Sequence, residues 1–147
     1  DVGLHFIILN LDRYVDYYSI IGIIWRMSTP SVKPLAWVAS SKKDLLSMPS
    51  KVVDIFGYAL HLAQHGRKHQ QAKPLKGFGS AGVLEVVQDD DGSTYRAVYT
   101  VRFGNAVYVL HCFQKKSHKG IETAKQDVDL IRERLKFAQK HSDGVTK

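Results

Sequence analysis

The sequence predicts an α+β fold, a small antiparallel sheet packed on helices, and three observations carry that expectation. Apolar residues recur at helical spacing in two stretches, 52–63 and 128–138. Between them, residues 83–87, 95–103 and 106–113 read as strands separated by turn residues. An apolar run at 35–38 precedes both, so the order is strand, helices, three-strand meander, C-terminal helix.

Each element has a local cause. Leu35 to Val38 follows Pro34 and precedes Ser40-Ser41, which marks a first strand. Asp44 to Met48 is a short helical segment of one turn or two. Pro49 and Ser50 start the next helix, Val52, Phe56, Ala59, Leu60 and Ala63 form its stripe, and Gly66 stops it. Glycine and proline are dense in 67–82, which demands a loop. Asp89-Asp90-Asp91-Gly92 closes a hairpin. A loop of even length puts Glu85 and Arg96 on one face, a four-residue loop sets them directly opposite, and a three-residue loop separates them. Thr123 to Gln126 matches a capping box, after which Val128, Ile131, Leu135 and Ala138 line one helix face.

Alternation assigns faces to the strand after the acidic turn. Tyr95, Ala97, Tyr99, Val101 and Phe103 point toward helices, leaving Arg96, Val98, Thr100 and Arg102 on an open face with accessible cations.

A chain of 147 residues, 44% hydrophobic and 24% charged, suits one ordinary globular domain and excludes wholesale disorder. Net charge is +7, concentrated at Arg67, Lys68, Lys73 and Lys76 and again at Lys115, Lys116 and Lys119. Such a balance fits nucleic acid or an acidic protein partner, with a solvated surface as the bland alternative. Cys112 is the only cysteine, so an intrachain disulfide and a multi-cysteine zinc site are excluded, and a reducing compartment fits. Asp12, Arg13 and Asp16 interrupt the apolar N-terminal residues, which argues against a membrane anchor. Met27-Ser28-Thr29-Pro30 reads as a translation start. The expectation is therefore an N-terminal extension over 1–30 and a functional domain over 31–147.

One chemistry such cations could support is phosphodiester cleavage without metal, which needs a base for the ribose 2′-hydroxyl, stabilisation of the phosphorane-like transition state and an acid for the leaving oxygen. Arg96 is a candidate for the second task, and a structural partner of Glu85 is the competing reading. Glu85 is either a base or the holder of Arg96. Lys115 and Lys116 leave the last strand with opposite parity, so one aims into the cleft and the other grips backbone phosphate. His118 stands in a loop, between proton transfer and plain solvation. His111, by shared parity with Val107, Val109 and Phe113, reads as a core histidine. Lys73 and Lys76 flank a stiffened loop leading to Phe78, which either stacks on a base or seals a core edge. His61 and His65 are four apart, but Leu62 occupies the glutamate position of a metalloprotease motif. Neither metal nor cofactor is expected.

Lys73-Pro74-Leu75-Lys76-Gly77, Leu84-Glu85-Val86, Tyr95-Arg96-Ala97-Val98-Tyr99 and Leu110-His111-Cys112-Phe113-Gln114-Lys115-Lys116-Ser117, with a helix downstream, resemble the phage-derived HigB-like branch of the RelE toxin superfamily. The likeness runs over about 35–140. It implies a RelE-like fold and the toxin of a bacterial toxin-antitoxin pair. The implied activity is endonucleolytic cleavage of messenger RNA on the ribosome, in the cytoplasm, neutralised by a small helix-turn-helix antitoxin. By the same likeness Arg96, Lys115 and Lys116 fall where members keep catalytic or RNA-gripping cations and Glu85 where some keep a functional carboxylate, so these four are the expected catalytic residues; the charge pattern itself adds Lys73, Lys76, Arg102, His118 and Lys119 as expected RNA contacts. No tyrosine follows Tyr108, so the acid and base stay unassigned. A ParE-like inhibitor and a basic nucleic-acid-binding module are the alternatives.

Overall fold

The computed structural model describes residues 32–115 and 123–145. Its elements are β1 (Leu35–Trp37), α1 (Ser41–Leu46), α2 (Ser50–Gln64), β2 (Lys73–Pro74), β3 (Val83–Asp90), β4 (Ser93–Thr100), β5 (Val107–Gln114) and α3 (Lys125–Val145). The expected boundary near residue 30 lies outside the described residues.

The α+β class stands, with one five-stranded sheet in the order β1-β5-β4-β3-β2. The three-strand meander is antiparallel as expected, and β1 adds a parallel edge, Leu35 to Trp37 pairing with Val107 to Val109. A parallel edge follows from the two helices between β1 and the meander, which carry the chain back across the sheet. Lys33 and Gln64 fasten this crossover through a backbone bond of 3.0 Å and a side-chain bond of 2.8 Å. Within the expected loop, Lys73 and Pro74 form the opposite edge against Glu85 and Leu84. Proline is tolerated there because an edge strand need not donate on its outer side.

A two-residue turn joins β3 to β4. Asp91 and Gly92 take φ of +46° and +75°, as a type I′ hairpin turn requires. Asp90 pairs with Ser93, so the loop has the shorter of the two even lengths.

The expected open face is covered. Val52, Phe56, Ala59, Leu60 and Ala63 of α2 pack against Val86, Ala97, Tyr99 and Cys112 on one side of the sheet. On the other side, Ile131 and Ala138 of α3 pack with Val98, Tyr108 and Leu110, so Arg96, Val98 and Thr100 are buried. The physical reason is that α3 carries an apolar stripe of its own, and α2 had already occupied the first face. Polar contacts fix α3 in place: Arg134 donates to the Leu110 carbonyl at 2.8 Å, the Tyr108 hydroxyl meets His141 Nδ1 at 2.9 Å, and Ser142 donates to Asn105 at 3.0 Å.

If α3 is part of the core, truncating its buried stripe must be costly. Ile131→Ala should destabilise by roughly 3 kcal/mol in denaturant titration, whereas Phe137→Ala, on the exposed side of the same helix, should stay within about 0.5 kcal/mol.

Candidate functional site

The turn sets the register on which the site depends. With Asp90 opposite Ser93, Arg96 faces Val87 and Glu85 faces Val98, so the two charged residues are diagonal neighbours on one face. Arg96 Nη1 donates to Glu85 Oε2 at 2.9 Å and to Thr123 Oγ1 at 2.7 Å. Arg96 is only 3% exposed. From β2, directly opposite Glu85, Lys73 brings Nζ to 3.7 Å from Oε1 while its side chain remains 55% exposed. One carboxylate therefore joins a buried guanidinium to a solvent-facing ammonium.

Thr123 behaves differently from the expected capping box. Its hydroxyl accepts from Arg96, and α3 begins at Lys125 with the Val128 amide bonded to the Ala124 carbonyl. Two depressions meet at Thr123. One is lined by Lys73, Leu75, Lys76, Glu85 and Val128. The other, a half-open cleft of about 780 Å³ between α1, the end of β5 and the start of α3, is lined by residues including Asp44, Tyr95, Phe113, Lys115 and Asp127. Lys115 reaches it because its amide continues the ladder to the Thr94 carbonyl at 2.7 Å. By that register Lys115 stands two positions from Phe113, the residue paired with Arg96.

A β-bulge redirects His111. The register slips between Val98 and Tyr99, which pair with His111 and Val109, leaving Leu110 as the extra residue. His111 is thereby parted from Val107 and Val109, contrary to the parity expected from regular alternation, and turns with Phe113 toward α3. Its Nδ1 lies 3.4 Å from Arg134 Nη1, which can only donate. The ring proton is thus on Nε2, donated to Asp127 Oδ1 at 2.9 Å. Burial, above all, pushes the imidazole below its ordinary value, and the Arg134 charge adds to this, while the Asp127 hydrogen bond and charge oppose it. Phe113 stacks on the ring at 4.4 Å. His111 is a satisfied structural histidine at the edge of a cleft.

Burial also withdraws two titratable core side chains from proton transfer. The Tyr99 phenol is pushed up to about 12, and the Cys112 thiol is pushed up further inside the core.

Lys73, Lys76, Glu85, Arg96 and Lys115 are therefore grouped around Thr123. Arg102 is not with them: it follows the far end of β4, on the order of 25 Å along the strand direction from the Lys115 end. Phe78 lies beneath the Arg132 guanidinium at 5.5 Å, which favours the edge-sealing role. Lys116, His118 and Lys119 lie outside the described residues. His65 Nδ1 is bonded to the His61 carbonyl, and no group of three or more potential metal ligands occurs among the described residues. Sequence reasoning missed Thr123, Asp127, Asp44 and Tyr95 as parts of the site. The first-turn acid of α3 was the available signal.

The family described as Phage derived protein Gp49-like (DUF891) matches residues 43–136, from α1 into α3. No curated protein and no solved structure matches the chain.

Two measurements probe the site's construction. Removing one member of a buried ion pair strands the other charge, so Arg96→Met or Glu85→Gln should each cost roughly 3 kcal/mol or more, and the double variant E85L/R96M should recover most of it. The His111 shift gives a pH signature. Because the folded value lies below 6.5, its stabilising contribution is complete above 6.5 and is lost as pH falls through the folded value. Thermal melts taken from about pH 7.5 down to about pH 5 should decline, and His111→Gln should decline less steeply.

Proposed function

The chain belongs to the phage-derived Gp49-like family, which is associated with toxin-antitoxin systems, and on that premise we propose that it is the toxin of such a pair, cutting messenger RNA on the ribosome without a metal. The ribose 2′-hydroxyl gives up its proton and attacks the adjacent phosphorus, the bond to the 5′-oxygen breaks, that oxygen takes up a proton to leave as a hydroxyl, and a 2′,3′-cyclic phosphate remains. The observation that carries this reading is the grouping of Lys73, Lys76 and Lys115, from separate parts of the chain, along two depressions that share Thr123. Three cations around one ridge suit a phosphate that must be held while its charge builds in the transition state.

Roles within the site follow exposure. Lys73 and Lys115 grip and neutralise phosphate, with Lys76 beside them. Arg96, enclosed by Glu85 and Thr123, holds Glu85 in place, and Glu85 in turn aims Lys73. Lys116, His118 and Lys119 follow Lys115 directly in sequence and belong to the same proposal as RNA contacts, Lys116 also as a catalytic cation. Arg102 contacts RNA only if the strand extends along the whole sheet. A small helix-turn-helix antitoxin is the partner implied by this class, and the cytoplasm is where it acts. Among the described residues no helix is long and apolar enough to cross a membrane.

A second reading has its own support. The mutual satisfaction of Arg96 and Glu85 leaves the most strand-fixed cation turned away from solvent, as suits a binder that inhibits by docking rather than by cutting. Mapping transcript 5′ ends after induction separates the two. New ends are expected for the nuclease; growth arrest without new ends would replace it with the binder. Lys73→Ala combined with Lys115→Ala should reduce cutting on the order of a hundredfold in a chain that still folds, as circular dichroism reads.

A further inference from the structure

We propose that the cleft between α1, the end of β5 and the start of α3 is a base-reading subsite for guanine, with the Watson–Crick N–H edge on Asp127 and the attached phosphate on Lys115. The proposal rests on the nuclease reading for its biological role, but the binding it describes is measurable alone.

The cleft's chemistry differs from that of the neighbouring depression. Lys73 and Lys76 sit on the far side of Thr123, whereas here two carboxylates, Asp44 and Asp127, face a space of about 780 Å³. Carboxylates repel phosphate, so what enters between them has to donate. Asp127 Oδ1 accepts from His111, and Asp44 Oδ2 accepts from Ser40 at 2.7 Å, which leaves Asp127 Oδ2 and Asp44 Oδ1 without a hydrogen bond among the described residues. The Asp127 side chain is 29% exposed, open enough to be met by a ligand and anchored enough to select one. Phe113, on the Asp127 face of the sheet, supplies the flat wall, its ring already ordered by its stack on His111, while Tyr95, Met48 and Pro49 line the opposite side of the cleft. Lys115 stands among the lining residues as the cation for the attached phosphate.

Among the four bases, guanine alone presents two adjacent donors, N1–H and the N2 amino group, with no acceptor between them. Adenine and cytosine each place a ring acceptor beside their amino group. Uracil flanks its single donor with two carbonyls. A carboxylate held beside an aromatic wall therefore selects guanine, and the His111–Asp127 bond is what holds the carboxylate still.

Titration of the full chain with the four nucleoside 5′-monophosphates tests this. Guanosine monophosphate should bind at least tenfold more tightly than the others, and inosine monophosphate, which lacks the N2 donors, should lose most of that advantage. Asp127→Asn keeps an acceptor for His111 and should abolish the preference; if that variant melts early, the inosine comparison on the unmodified chain and Asp44→Asn carry the test. Equal affinity for all four nucleotides, inosine binding as well as guanosine, or displacement of guanosine monophosphate by an equal concentration of arginine amide would overturn the subsite, the last by showing a basic peptide site instead. In cells, transcript ends adjacent to guanine that lose this bias in the Asp127→Asn chain support the proposal. New ends without any base bias overturn it while leaving the nuclease standing, and a guanine preference in vitro with no new ends overturns the nuclease while leaving the subsite.

Discussion

The Arg96–Glu85 pair is the contact on which the arrangement of the site depends, because four elements meet at it. Glu85 is on β3, Arg96 on β4, Lys73 on β2, and Thr123 stands just before α3. Taking a guanidinium and a carboxylate out of water is expensive, and the cost is offset only where geometry is good and further hydrogen bonds are made. Here the 2.9 Å contact and the Thr123 hydroxyl supply them, and the partly exposed Lys73 ammonium adds a second ion pair to Glu85. The same interaction therefore closes the short edge strand and sets where the last helix enters. Surface cations that meet a ligand are positioned by a charge pair that does not.

A sheet covered on both faces constrains the site further. With α2 on one side and α3 on the other, the central strands offer little open surface, and ligand-accessible groups are confined to the ends of strands and the gaps beside helix termini. The bulge at Leu110 exploits one such end. One extra residue moves His111 off the face shared by Val107 and Val109 and places it beside Asp127 and Arg134, where it ties β5 to α3. Arg134 extends the tie to Ser40 at the entrance of α1. Both walls of the cleft are thus fastened by one polar chain.

Much of this architecture could be read from residue pattern. The stripe Val52 to Ala63, bounded by Pro49 and Gly66, is a helix because period and punctuation agree, and the meander is declared by β-branched and aromatic runs around an Asp-Gly turn. The same-face relation of Glu85 and Arg96 follows from parity once the hairpin loop is even. What parity cannot supply is which even loop closes the hairpin, because Asp89 to Gly92 contains turn-forming residues at every position; positive φ at Asp91 and Gly92 decides it. Nor does a local pattern reveal that α3 returns to cover Arg96, since that is a contact across 27 or more residues. Thr123 was misplaced for a related reason: a cap is a local solution for a hydroxyl, and a buried arginine is a stronger, non-local one.

Burial sorts the cations into two kinds, and the sorting bears on how a polyanion is approached. A guanidinium enclosed at 3% exposure is already neutralised by its own carboxylate and adds little to the field outside. Rim lysines carry their charge on flexible stems, so they contribute both to steering and to the final grip. Replacing Arg96 therefore acts through the placement of Glu85, Lys73 and Thr123, whereas replacing Lys115 removes a cation from the cleft directly. Lys73 is coupled to the charge pair through Glu85, so varying it changes both the grip on a polyanion and the closure of the edge strand.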